Sequence, residues 1–327
     1  PAAVVAKVQT LVAATERAMD AESTWTTAER TDEGRSATLE ESREALVETL
    51  RAVANRRPAH SDLVPAVEEW LTDGGQRRFT VGLRVAEALS DTDADLRPGD
   101  VRTLARAFKP ASDGDHPGLG EALETLAAAR RVAGDDGEIT DTKLLSRLWR
   151  TRRRLSGTAT DAIADAPESE VEDWLGAEYL LSSGGISAIL PDCGRFLATV
   201  AERDLTAHAA GPAAGVASAV LLAYDPEADS PEGYDDPDAV GQAVAVLAGA
   251  AERRPDLGNP YERLGRAVQA HPSLFTDDVD ALLSVVEATE ASAAPTMKNE
   301  LLNGVGAVAG EAPAALEPHV DRVAALL

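Results

Sequence analysis

Residues 264–283, LGRAVQAHPSLFTDDVDALL, and residues 305–324, VGAVAGEAPAALEPHVDRVA, are two versions of one pattern, 41 residues apart. The shift superposes Gly265 on Gly306, Pro272 on Pro313, Phe275 on Leu316, Val279 on Val320, Asp280 on Asp321 and Leu282 on Val323. Each copy reads as a helix, a Pro-marked turn and a second helix. Apolar residues recur at three- and four-residue steps on both sides of a residue that cannot continue a helix. A period of this length with two helices per unit marks an architecture in which no unit buries its apolar faces alone and stacking completes the core.

Outward from these copies the same spacing covers nearly the whole chain, and strict apolar-polar alternation never lasts more than a few residues. Leu39, Leu46, Leu50 and Val53 form one stripe; Leu119, Leu123, Leu126 and Val132 a second; Leu144, Leu145, Leu148, Trp149 and Leu155 a third. Hydrophobic residues make up 44% of the chain but aromatics only 4%. The apolar content is mostly Ala, Val and Leu, which suits close-packed helices and not a sheet sandwich. The expected class is all-α. Thr38 with Glu41, Ser169 with Glu172, and Asn259 followed by Pro260 and Glu262 have the spacing of helix starts. Residues 225–238, with three prolines and almost nothing apolar, are the strongest loop signal, and residues 20–36 the second. The expected organisation is helical repeats over 1–132, an irregular helical middle over 133–236 without a second copy of the pattern, and helical repeats over 237–327. The three are read as one continuous array. A start at Pro1 and a stop in mid-pattern suggest a segment of a longer protein.

Leu63-Val64-Pro65-Ala66-Val67, Trp70-Leu71 and Asp73, followed by Arg77-Arg78, Val81, Val85-Ala86 and Ala88-Leu89, resemble the HEAT pattern. In that family one helix ends at an Asp and the next opens near an Arg before an Ala- and Leu-rich face. Asp100-Val101-Arg102, with Leu104, Ala105, Ala107 and Phe108, looks like a second opening. The resemblance covers about residues 58–132 and 237–327. It implies a HEAT/armadillo-type α-solenoid of stacked antiparallel helix pairs, a right-handed superhelix, and a curved scaffold that binds a partner on one face. It brings no catalytic residues.

The formal net charge is -25, from 56 acidic and 31 basic residues, and only Lys7, Lys109, Lys143 and Lys298 are lysines. An acidic excess along the whole chain, with Arg favoured over Lys, resembles the proteins of salt-accumulating haloarchaea. In molar salt the screening length falls to about 3 Å, so the self-repulsion is largely removed. The acidity then reports the solvent and not a basic partner. No apolar stretch approaches the roughly 20 residues that span a bilayer, so no membrane partner is expected. The single Cys193 excludes an internal disulfide and suits a reducing cytoplasm. Its apolar setting, Ile186 to Leu197, reads as a buried structural thiol.

Candidates for chemistry are few. His60, His116, His208, His271 and His319 are isolated from one another, so no metal site is readable and none is expected. Asp135-Asp136-Gly137-Glu138-Ile139-Thr140 imitates the second half of a calcium loop. With Gly137 at the sixth position, however, the first, third and twelfth would be Val132, Gly134 and Lys143, which cannot close an oxygen cage. Gly74-Gly75 and Ser182-Ser183-Gly184-Gly185 lack the Lys and Ser/Thr of a phosphate loop. No cofactor and no enzymatic activity are expected.

One local feature departs from the acidic background: Arg147, Arg150, Arg152, Arg153 and Arg154, with Lys143 and Trp149. On a helix Lys143, Arg147, Arg150 and Arg154 share a face, while Leu144, Leu145, Leu148 and Leu155 turn to the core. The first reading of that face is internal salt bridging; an acidic protein partner and nucleic acid are the others. The expected function is a non-enzymatic scaffold holding an unidentified protein or peptide, with Arg147, Arg150 and Arg154 as anchors. The alternatives are a nucleic-acid-binding helical repeat using the same arginines with Trp149, which high salt would oppose, and a repeat-containing lyase-type enzyme. Whether the face is open or covered by Asp and Glu separates the first two.

Overall fold

The structure, a computed structural model, describes residues 2–23, 33–54, 60–72, 76–91, 96–108, 140–182, 190–227, 232–290 and 294–326. No β-strand occurs among the described residues, so the chain is all-helical there. It divides into two compact units, Pro1–Leu155 and Ser156–Leu327. The second helical stripe, Leu119 to Val132, the calcium-loop imitation and His116 lie outside the described residues.

The first unit contains α1 (Ala2–Ser23), α2 (Glu33–Ala54), α3 (His60–Thr72), α4 (Gln76–Ser90), α5 (Pro98–Phe108) and the opening of α6 (Thr140–Asp165). Helix α3 packs on α1, α4 and α5, and α2 packs on α1 and α4. The core follows the apolar spacing: Leu63, Val67 and Trp70 of α3 meet Leu83, Ala86 and Leu89 of α4, all essentially inaccessible to solvent. In α2 the buried face centres on Val47, Leu50 and Ala54, with Leu46 and Val53 at its margin; it shares Leu50 with the expected stripe and is turned from it by less than one residue's step around the helix. The start signal at Thr38 is also misplaced, because α2 begins five residues earlier at Glu33. Residues 20–36 are correspondingly less loop-like than expected at both ends, since α1 runs to Ser23.

The second unit continues from α6 into α7 (Glu168–Ser182), α8 (Cys193–Ala201), α9 (Ala207–Ala223), α10 (Pro237–Arg253), α11 (Gly258–Ala270), α12 (Val279–Thr289), α13 (Pro295–Glu311), α14 (Pro313–Leu316) and α15 (Val320–Leu326). Helix α9 packs on α7 and α11, and α11 packs on α13; α10 packs on α8 and α12, and α12 on α15. The helices thus form two rows, each member touching the second helix along except α12, which passes the short α14 to meet α15, and α9 against α10 joins the rows. Flanked on three sides, α9 is buried nearly all round. Ala209, Ala210, Ala213, Ala214, Val216, Ala217, Val220 and Leu221 are inside, and its sequence AHAAGPAAGVASAVLLA carries no Asp, Glu, Lys or Arg. Helices α7 to α9, from the part of the chain that shows no visible repeat, therefore pack in the same rows as the C-terminal copies.

Those copies fold alike. In the first, α11 is followed by a 3-10 turn opened by Pro272 and then α12; in the second, α13 is followed by α14, opened by Pro313, and then α15. Phe275 and Leu316 are both buried, whereas Val279 is buried and its counterpart Val320 is exposed. Helices α11 and α13 approach closely at Gly265, where a Cβ would lie 2.5 Å from the Glu300 carbonyl carbon, and a Cβ on the facing Gly304 would lie 3.2 Å from the Gly265 oxygen. At Gly306, the counterpart of Gly265, an added Cβ would meet nothing within 4 Å. Full burial of Tyr261, Leu264, Val268 and Leu301 around this crossing contributes roughly 2 kcal/mol per side chain. Asn259 is not the cap it resembles. Helix α11 begins at Gly258 after Leu257, without a side-chain cap, and Pro260 falls in a first turn whose N–H groups need no helical partner.

Candidate functional site: the arginine face of α6

The first half of α6 follows the expected division into a core stripe and a charged face. Leu148 and Leu155 are buried. Arg147, Arg150 and Arg154, three and four residues apart, meet carboxylates of α4 and the residue after it. Arg147 Nε lies 3.0 Å from Glu87 Oε2, Arg150 Nη2 is 3.9 Å from Glu87 Oε1, and Arg154 Nη1 is 2.5 Å from Asp91 Oδ1. Glu87 keeps only 8% of its surface, so its charge needs these partners. The arginines stay partly open to solvent: their side chains remain 37%, 48% and 39% exposed. Trp149 carries the Arg153 guanidinium over its ring, 5.0 Å from the centroid, a cation–π contact that takes one ring face. Lys143 lies in the first turn of α6, and its side chain falls outside the described residues.

Arg152, counted with the positive patch in the sequence, is fully buried. The reason is helical geometry. It stands four residues after Leu148 and three before Leu155, on the core stripe and not on the charged face.

Elsewhere, in the second unit, three groupings escape a sequence reading. Glu178 of α7 is fully buried and accepts a 2.8 Å hydrogen bond from the Ser156 hydroxyl. Arg203 closes the C-terminal end of α6, donating to the carbonyls of Ile163 (2.6 Å), Ala164 (2.5 Å) and Ala166 (3.3 Å), which have no helical N–H to accept from. Tyr234, in the acidic loop, is buried, and its hydroxyl accepts from the Leu190 N–H at 3.0 Å. An aromatic within a run of Asp, Glu and Pro was the available signal for this anchor. Beside it, Cys193 is inaccessible, and burial with the nearby Asp192 and Asp236 pushes its thiol up to about 12, as suits a structural cysteine.

The histidines are dispersed. His271 ends α11 with Tyr224 edge-on to its ring at 5.6 Å, His319 is 4.0 Å from Asp280, and His60 and His208 sit at helix starts. No cluster of three potential metal ligands occurs among the described residues. Among them also, no helix is long and apolar enough to cross a membrane. No family model, curated protein or solved structure matches the chain.

Proposed function

We propose that the chain is a non-enzymatic protein-interaction scaffold: a HEAT-like α-solenoid of antiparallel helix pairs, adapted to high salt and acting in the cytoplasm, that holds a protein or peptide. The observation that carries this reading is the two-row packing, in which most helices rest on the second one along. Such packing lengthens without closing on itself and so presents extended rows of side chains, the surface that helical repeats use for binding. The outward halves of Arg147, Arg150 and Arg154, flanked by Lys143 and Trp149, supply the charged anchors. Glu87 and Asp91 hold the guanidinium groups in place, and the three side chains stay 37%, 48% and 39% exposed.

The test is purification of the tagged protein from a halophilic host at high salt, with and without nuclease, and identification of what accompanies it. A stoichiometric protein that survives nuclease and is lost with Arg150→Glu is the expected result. No partner, or one that nuclease removes, overturns the reading. High-salt adaptation predicts loss of helical circular dichroism on dialysis to low salt; a fold indifferent to dilution removes that part.

A further inference from the structure

The C-terminal unit has eight basic side chains, all described, and its carboxylates outnumber them more than threefold. Six lie within 4.0 Å of a carboxylate: Arg195 of Asp161, Arg253 of Asp204, Arg254 of Asp256, Arg266 of Glu300, Lys298 of Glu290 and Arg322 of Glu287. Arg203 has its three carbonyls. Arg263 of α11 has only the Ser218 hydroxyl of α9, at 3.5 Å, the outer limit of a hydrogen bond. That hydroxyl donates in turn to the Gly215 carbonyl at 2.9 Å. In so acidic a unit, a half-buried guanidinium without a carboxylate is the exception, and its charge is available to an outside anion.

Apolar surface lies on both sides of it. Gly215, Ser218 and Leu222 follow one face of α9 at steps of three and four residues, spanning about 10 Å. The Tyr179 ring of α7 covers Gly215, where a Cβ would lie 2.3 Å from Tyr179 Cε2, and is 40% exposed; Leu222 is 52% exposed. These are two of the three large exposed hydrophobic residues among those described. Tyr and Arg are among the residues enriched in binding hot spots, and here they stand along one strip with an exposed aliphatic side chain.

We propose that this strip docks a short amphipathic helix of a partner protein, one that sets a carboxylate between two apolar side chains about one turn away on either side. The carboxylate takes the Arg263 guanidinium, and the apolar side chains cover Tyr179 and Leu222, matching the three- and four-residue steps of α9. The inference rests on the scaffold reading but uses a surface separate from the arginine face of α6.

The experiment pans a phage-displayed library of helical peptides on the full chain and measures the selected peptides against variants. The expected peptides carry the apolar–acidic–apolar spacing. Their binding falls about tenfold or more with Arg263→Glu and with Leu222→Asp, while the helical circular dichroism of both variants is unchanged. A Glu→Lys change in the peptide restores binding to Arg263→Glu. Absence of selected peptides, peptides lacking the acidic position, or binding indifferent to both substitutions overturns the proposal. A stoichiometric cellular partner retained by both variants but lost with Arg150→Glu rejects this site and leaves the scaffold reading standing.

Discussion

The arginine face of α6 and the Arg263 strip on α9 differ in a way that reverses their prominence in the sequence. Residues 147–154 hold five arginines, yet folding brings Glu87 and Asp91 to the outward three and buries Arg152. Arg263 stands in an unremarkable helix and reaches no carboxylate. A dense run of like charge raises the cost of leaving it uncompensated, so the fold supplies counter-charges. A single arginine carries a smaller cost and can be left for a partner. Prominence in sequence therefore goes with counter-charges from within the chain, and the solitary residue is left without one.

If that contrast is right, basic residues with intrachain partners support stability and Arg263 does not. The largest effect is expected for Arg203→Ala, which strips three hydrogen bonds from the end of α6 and costs about 2 kcal/mol in denaturant unfolding. A cost near zero would show that water replaces the guanidinium without loss. Next comes Glu87→Gln, at about 1 kcal/mol, since Arg147 and Arg150 lose their shared counter-charge but remain partly solvated.

Arg322→Ala is expected to cost about 0.5 kcal/mol, discounted because Glu287 is 42% exposed. This variant has a pH signature. The Arg322 guanidinium beside Glu287 holds its carboxyl below the usual range. The pair's stabilisation is therefore present above the unfolded carboxyl value of about 4.3 and is lost as pH falls through the lower folded value. Unfolding measured across acid pH should show that dependence diminished in Arg322→Ala. The smallest effect is expected for Arg263→Ala, within about 0.5 kcal/mol of the parent. A loss as large as that of Arg203→Ala would place Arg263 among the structural arginines and erase the contrast.

How much was legible depends on how local each feature is. Pro272 and Pro313 could be read directly, because a missing N–H interrupts a helix whatever surrounds it. The buried setting of Cys193 was readable from its apolar neighbours. Caps were less so. Asn259 has the residue type and spacing of a start, yet α11 begins one residue earlier, and α2 begins well before Thr38. Capping preferences are worth about 1 kcal/mol and yield to packing. The face shared by Arg147, Arg150 and Arg154 was legible; that Glu87 and Asp91 cover its inner side was not. Tyr179 and Arg263 gave no signal, since each becomes notable only through what it does or does not touch on α9.

The sequence by itself determined the helical class, the helix–Pro–helix units near the C-terminus and the separation of charged from apolar faces on α6, all set by contacts within one or two turns. Only the tertiary structure decided that α7 to α9 pack in the same rows as the C-terminal copies, that Gly265 rather than Gly306 marks a close helix crossing, that Arg152 is buried, and which arginines meet carboxylates. Arg147 and Glu87 are sixty positions apart, as are many of the decisive pairs by thirty or more. Whether two such side chains meet depends on how helices stack, and the periodicity of a single helix carries no information about the charge its neighbour will present.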